Sequence, residues 1–267
     1  MINYFTSSPL VEPENALPFK VRRPPLPLPL QPLTNIVTGG IAQNTINGNL
    51  GPEIKAYLND DRFVNGSLTN QSPILLLKLF DSSGINTGSS GIDHDIVATL
   101  DGNNSQYFVL NNFYEADVNS YQKVAVRFQL PQLSPGVHTL KIKAWDVMNN
   151  SSEYVLNFTV INNDELKIDR VLNYPNSFTA HTAFWFEHNY PGVDLQARVD
   201  IFTVSGKRIK TIAKTINTPG NRSIDLNWDG RDEWGEKPGR GIYLYHLSVT
   251  APNGKSAGKW ERLALLQ

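Results

Sequence analysis

The stretch Leu140-Lys141-Ile142-Lys143-Ala144-Trp145 alternates small or branched apolar side chains with lysines and a tryptophan, and this alternation decides the fold class. A period of two is expected where one face of a β-strand is buried and the other is in water. The stretch Tyr154–Val160 repeats the alternation, and Asn149-Asn150 forms a turn between the two stretches. The sequence therefore predicts two strands at this point.

Short apolar runs separated by turn-forming residues continue in both directions from this pair. The Asp101-Gly102 and Ser205-Gly206 dipeptides are typical of hairpin turns. No stretch longer than about three helical turns shows the 3.6-residue period of an amphipathic helix. Further strands are expected at Ile54–Leu58, Ile74–Phe80, Ile96–Leu100, Tyr107–Leu110, Val124–Leu130, Phe184–Phe186, Ala197–Val204, Ile209–Ile212, Ile224–Trp228, Ile242–Val249 and Lys259–Leu266. The prediction is an all-β chain of antiparallel sandwiches.

The length of 267 residues favours two domains of ordinary size. The polar, aperiodic segment Ile161–Glu165 marks the expected boundary. We therefore predict a first immunoglobulin-like sandwich over 51–161 and a second over 162–267. Residues 1–50 are expected to form an irregular, Pro-rich tether, because the prolines of Arg22–Pro32 favour a polyproline II conformation. That run is interpreted as a stiff linker, with a docking ligand for an aromatic groove as the alternative.

Composition argues against several classes of function. Lys and Arg number 24 against 25 Asp and Glu, and they are scattered, so no basic face for nucleic acid is expected. No apolar run approaches the roughly 20 residues of a transmembrane helix, and residues 1–10 lack the features of a signal peptide. There is no cysteine, no HExxH arrangement of histidines and no G-x-S-x-G elbow. We expect no catalytic residue and no enzyme activity in this chain.

The second predicted sandwich contains an ordered series of motifs: Leu172–Phe178, Val199–Lys207, Trp228–Asp232 and Gly239–Tyr245. In this order and spacing they resemble the immunoglobulin-like domain shared by flagellar hook-capping proteins (FlgD-like) and by the C-terminal domains of type IX secretion cargo. Ser177 stands where the opening of that domain usually has a second proline.

The first predicted sandwich extends the resemblance. Its segments Gly51–Asp60, Asp81–Thr87, Gly136–Leu140 and Ala144–Ser152 are similar to the module that precedes the C-terminal domain in the type IX secretion sortases of the PorU family. The resemblance covers about Gly51 to Gln267. It implies a gingipain-like cysteine peptidase at the outer membrane that removes sorting tails from secreted cargo and helps attach that cargo to lipopolysaccharide.

The family's Cys and His dyad would lie upstream of this chain, so the resemblance assigns no catalytic residue here. It implies noncatalytic modules of an exported protein, at the cell surface or outer membrane, with the export signal outside this chain. The implied partner is an outer-membrane β-barrel of the PorV type or the sortase's own catalytic domain. The alternatives are a surface adhesive or carbohydrate-binding protein and, third, a sorting tail cleaved from its cargo.

Two sets of residues are candidate sites. Phe184, Trp185 and Phe186 are consecutive on one strand and cannot all face the core, so at least one of them is expected to be exposed and available for docking. Asp81, Asp93 and Asp95 offer carboxylate oxygens for calcium, the only cofactor considered. The alternative for these aspartates is a structural one, in which turn residues bond their own backbone.

Overall fold

A computed structural model of the chain describes residues 50–88, 94–117 and 120–266. The described residues form sixteen β-strands and two 3₁₀ turns, Asn104–Gln106 and Asn111–Phe113, with no α-helix among them. The prediction of an all-β chain is confirmed. The tether predicted for residues 1–50 lies outside the described residues, apart from Leu50.

Nine strands precede the predicted boundary at 161/162, and seven follow it. The first nine are β1 Glu53–Leu58, β2 Leu68–Thr69, β3 Ile74–Phe80, β4 Val97–Leu100, β5 Tyr107–Val109, β6 Tyr114–Asp117, β7 Ser120–Gln129, β8 Gly136–Trp145 and β9 Ser151–Val160. The next seven are β10 Ile168–Tyr174, β11 Thr182–His188, β12 Leu195–Thr203, β13 Arg208–Ile216, β14 Arg222–Trp228, β15 Gly241–Thr250 and β16 Ser256–Leu265.

The first nine strands form two sheets, in the orders β1-β3-β7-β6 and β2-β9-β8-β4-β5. Every second residue along these strands points between the sheets; in one such row Leu77 lies opposite both Ala56 and Val126. The inward side chains form one apolar cluster whose members run from Ile54 to Val160. The burial of this cluster is the main stabilising contribution to the first sandwich.

The last seven strands form sheets in the orders β10-β11-β14 and β13-β12-β15-β16. Their inward side chains form a second cluster, with members from Leu166 to Leu265. Its centre is aromatic: the Phe184 ring meets Tyr245 edge-on at 4.8 Å, and the Phe178 ring meets Trp228 edge-on at 5.5 Å.

The two clusters share no residue, although the described residues belong to one compact unit. The domain limits 51–161 and 162–267 stay a prediction.

A buried polar joint connects the two sandwiches. The Asn59 side-chain amide at the end of β1 donates to Oδ1 of Asn221 at 2.8 Å and to Oγ1 of Thr69 at 3.1 Å. Asn221 in turn donates to the carbonyl of His188 at 2.9 Å. Gly220 approaches Asp60 so closely that a Cβ on Gly220 would lie 2.1 Å from the Asp60 carboxyl carbon. These contacts hold the second sandwich against the first.

Candidate docking surfaces

The three aromatic residues of β11 divide between the two faces of their sheet. Phe184 and Phe186 are fully buried in the second core, while Trp185 between them lies on the outer face and is partly exposed. This follows from the period of two, since neighbouring residues of a strand point to opposite faces. Phe184 and Phe186 therefore belong to the core and are not accessible to a partner. The docking prediction now concerns Trp185 alone.

Trp185 is the middle of an apolar row that crosses all three strands of its sheet. Leu172 on β10 lies directly opposite Trp185 and is 43% exposed. On the other side the register with β14 shifts between Phe184 and Phe186, which places Ile224 in the bulge beside Trp185. The ring of Tyr174, 65% exposed, lies 6.0 Å from the Trp185 ring. Leu172, Tyr174, Trp185 and Ile224 together are called the Trp185 surface.

A buried ion pair holds one cation beside this surface. The Arg222 guanidinium lies 5.9 Å from the centre of the Trp185 ring, and its Nη2 donates to Oε1 of Glu187 at 2.8 Å. The Glu187 side chain is only 3% exposed, and Arg170 approaches the same oxygen at 3.6 Å. Arg170 also donates to Oγ of Ser67 in the first sandwich at 3.1 Å. The ion pairs of Glu187 with Arg222 and Arg170 therefore connect the Trp185 surface to Ser67 of the first sandwich.

A second exposed aromatic surface lies on the outer face of the four-stranded sheet, and the sequence analysis missed it. Trp260 on β16 is 56% exposed, with its ring 4.8 Å from His246 and 5.3 Å from Phe202. Gly258 makes room for this arrangement, because a Cβ there would lie 2.7 Å from Nε2 of His246. Since Leu263 and Leu265 are inward, the alternation of β16 already indicates that the even-numbered Trp260 faces outward.

The calcium candidates are only partly described. One oxygen of Asp81 accepts hydrogen bonds from the backbone N–H of Ser83 at 2.7 Å and from the Ser83 hydroxyl, which is the geometry of an Asx turn. Asp93 lies outside the described residues, and Asp95 lies just before β4. The described part of the chain contains no cluster of three or more acidic, histidine or cysteine side chains suited to a metal ion. Calcium binding stays a prediction.

No helix within the described ranges is both long and apolar enough to cross a membrane. No protein-family model and no curated protein matches the chain.

Three of the solved structures with which the chain aligns illustrate the range of its likenesses. Dimeric latent PorU from Porphyromonas gingivalis aligns over 82% of this chain with 28% identity and a TM-score of 0.43. A surface glycan-binding protein, SGBP-B, from a Bacteroides ovatus glucan utilization locus aligns over 81% of this chain with 10% identity and a TM-score of 0.32. The C-terminal domain of the Streptococcus agalactiae polypeptide BspA aligns over 80% with 10% identity and a TM-score of 0.29.

The alignments cover very different shares of those proteins. This chain spans 20% of the PorU chain, 60% of SGBP-B and 100% of the BspA domain. Likenesses with TM-scores this low do not establish a shared function.

Proposed function

We propose that this chain is the noncatalytic C-terminal part of a type IX secretion sortase of the PorU family and that it docks through the Trp185 surface. The observation that carries the proposal is where the family motif lies in the fold. The segment Leu172–Phe178, which opens the FlgD-like series of motifs, supplies two of the four side chains of the Trp185 surface. Residues that support the family resemblance are thus also residues that a partner can contact.

The composition of this surface supports a docking role. Protein interfaces are enriched in tryptophan, tyrosine and arginine, and a few such residues in a well-packed centre supply most of the binding free energy. Trp185 is already held by its neighbours, with Arg222 fixed beside it by the buried Glu187. Less conformational entropy is lost on binding when the contacting side chains are ordered beforehand.

The proposed partner is an outer-membrane β-barrel of the PorV type or the sortase's own catalytic domain, which would lie upstream of this chain. In either case the two sandwiches are part of an exported protein that lies at the cell surface or outer membrane. The peptidase activity belongs to the upstream domain in this proposal, and the present residues contribute binding only.

A binding experiment with the two partners presented separately tests the proposal. The full 267-residue chain is immobilised and exposed to a purified PorV-type barrel in detergent or to a purified gingipain-like catalytic domain. We expect saturable binding of one of them and at least a tenfold rise in Kd for Trp185→Ala, the size expected for a central aromatic. Tyr174→Ser tests the same surface through an exposed residue whose loss leaves the core intact.

Trp260→Ala is the matched control, because it removes an exposed tryptophan from another sheet of the same sandwich. It should leave Kd unchanged. The proposal is wrong if neither partner binds, or if Trp260→Ala weakens binding as much as Tyr174→Ser and Trp185→Ala do. Circular dichroism of each variant shows whether the β-structure is retained.

A further inference from the structure

A polar pocket of about 330 Å³ lies on the outer face of the five-stranded sheet in the first sandwich. Alternate residues of neighbouring strands line it, including Thr99 of β4, Lys143 and Trp145 of β8, Glu153 of β9 and the exposed ring of Tyr107 from β5. Asp95, just before β4, contributes a carboxylate at one end. Its size is at the lower limit of typical small-molecule sites.

Two atoms of this lining are buried without a hydrogen-bond partner. The indole Nε1 of Trp145 and Oδ1 of Asp95 have no partner among the residues that the structure describes. Buried polar groups of folded proteins are nearly always paired, so an unpaired donor and an unpaired acceptor in one lining require an explanation. The Trp145 ring cannot turn freely to find a partner, because it contacts the Lys143 ammonium at 4.5 Å and the His94 ring at 4.4 Å.

The unpaired atoms and the charges of the lining define the chemistry of a ligand. A hydroxyl group can accept a hydrogen bond from the indole N–H and donate one to the carboxylate. The charges balance, since Lys141 and Lys143 are matched by Asp95 and Glu153, and Nζ of Lys141 already pairs with Glu153 at 2.8 Å. A net anion or a net cation therefore gains little here. A peptide side chain would favour a more apolar lining than these charged residues provide.

We propose that this pocket binds one ring of a neutral saccharide, with a sugar hydroxyl between Trp145 and Asp95. The exposed ring of Tyr107 supplies apolar contact for the carbon face of the sugar, and the charged side chains bind its remaining hydroxyls. The site lies in the first sandwich and does not depend on docking through the Trp185 surface, so either proposal can fail while the other holds.

The experiment follows the indole signal of Trp145 by ¹H–¹⁵N NMR in the full chain. The chain has five tryptophans, and Trp145→Phe identifies the signal by removing it. D-glucose, D-galactose and D-mannose are titrated as neutral probes, D-glucuronate as an anionic probe and glycylglycine as a peptide probe. We expect at least one neutral sugar to shift the Trp145 signal saturably while the signal of Trp260 stays in place.

The Asp95→Asn variant gives a second readout that keeps the Trp145 signal. It should raise the Kd for the sugar at least tenfold, whereas Asp61→Asn, an exposed carboxylate of the same sandwich, should leave the Kd unchanged. The proposal is overturned if no neutral sugar shifts the Trp145 signal, if glucuronate or glycylglycine shifts it in place of the neutral sugars, or if Asp95→Asn binds sugar as the unaltered chain does.

Discussion

The two sandwiches each contain an ion pair of the same length in very different surroundings. Lys141 and Glu153 of the first sandwich meet at 2.8 Å with about half of each side chain exposed, and Arg222 and Glu187 of the second meet at 2.8 Å with the glutamate buried. Water screens the first pair, so its loss costs little. The second pair neutralises a charge that has left water, so its loss leaves an uncompensated buried carboxylate. Burial, not distance, decides what each pair contributes.

The same difference extends to the joint. Most buried polar side chains of the second sandwich lie in the residues from Glu187 to Asn189 and from Thr218 to Ser223, around the contact with the first sandwich. Asn59 of the first sandwich satisfies part of this set through Asn221. The first sandwich therefore supplies part of the hydrogen bonding of the buried polar side chains at this end of the second sandwich.

The largest expected loss of stability follows from breaking the buried ion pair of Arg222 and Glu187. Arg222→Ala should lower the free energy of unfolding by about 3–5 kcal/mol, because Glu187 then keeps only the more distant Arg170. Urea unfolding followed by tryptophan fluorescence measures the change. Lys141→Ala, the matched change in the exposed pair, should cost less than about 1 kcal/mol. Equal losses in the two variants would contradict the comparison, and adding Glu187→Gln to Arg222→Ala should recover part of the stability.

The next effect is a dependence on pH at the joint. Burial, and to a smaller extent the charge of Arg62, together lower the pKa of His188 from 6.5 to about 4. The ring is neutral in the fold: its Nε2 bonds to Oγ1 of Thr218 at 3.0 Å, and its Nδ1 accepts from the backbone N–H of Tyr190 at 3.3 Å.

The unfolded chain binds this proton more tightly than the folded chain does. The contribution of neutral His188 to the free energy of unfolding is therefore fully present above pH 6.5. It is lost as the pH falls towards 4, by about 3 kcal/mol in total. Urea unfolding at several pH values measures the slope for the unaltered chain and for His188→Gln. The loss between pH 6.5 and 4 should be smaller in the variant by about this amount. Identical slopes would show that His188 does not titrate as a buried group.

A smaller effect tests how closely the sandwiches approach each other. Gly220→Ala places a methyl group against the Asp60 carboxyl and should cost about 1–3 kcal/mol, as overpacking does. Gly239→Ala, where a Cβ meets nothing within 4 Å, is the control and should change stability little. Adding Asp60→Ala to Gly220→Ala should restore part of the loss. If it restores none, the cost arises within the second sandwich and not at the joint.

Much of the fold could be predicted from the period of two. The runs Leu140–Trp145 and Tyr154–Val160 are strands as expected, and so are the apolar runs of both halves. Strand β10 was missed because its alternation is broken: its pairing shifts between Asp169 and Leu172, and Arg170 between them has a positive φ of 44°. A bulge of this kind has no reliable signature in a single sequence.

The candidate sites were less predictable. Three consecutive aromatic residues at 184–186 show that one must face outward, but only the register identifies it as Trp185. The alternation of β16 is sufficient to predict that Trp260 faces outward. The hydrogen bond between Asn59 and Asn221 joins residues 162 positions apart, and no local sequence pattern predicts it. The unpaired atoms of Asp95 and Trp145 depend on how four strands are aligned, which sequence spacing does not determine.

The most direct test of docking through the Trp185 surface is photo-crosslinking from that surface. A benzoylphenylalanine in place of Tyr174, which is 65% exposed, is irradiated in the presence of a PorV-type barrel and the gingipain-like catalytic domain, and the same residue in place of Trp260 serves as the control. We predict a covalent adduct with one of these partners from position 174 and none from position 260. Adducts from position 260 alone, or none from position 174, would contradict the account.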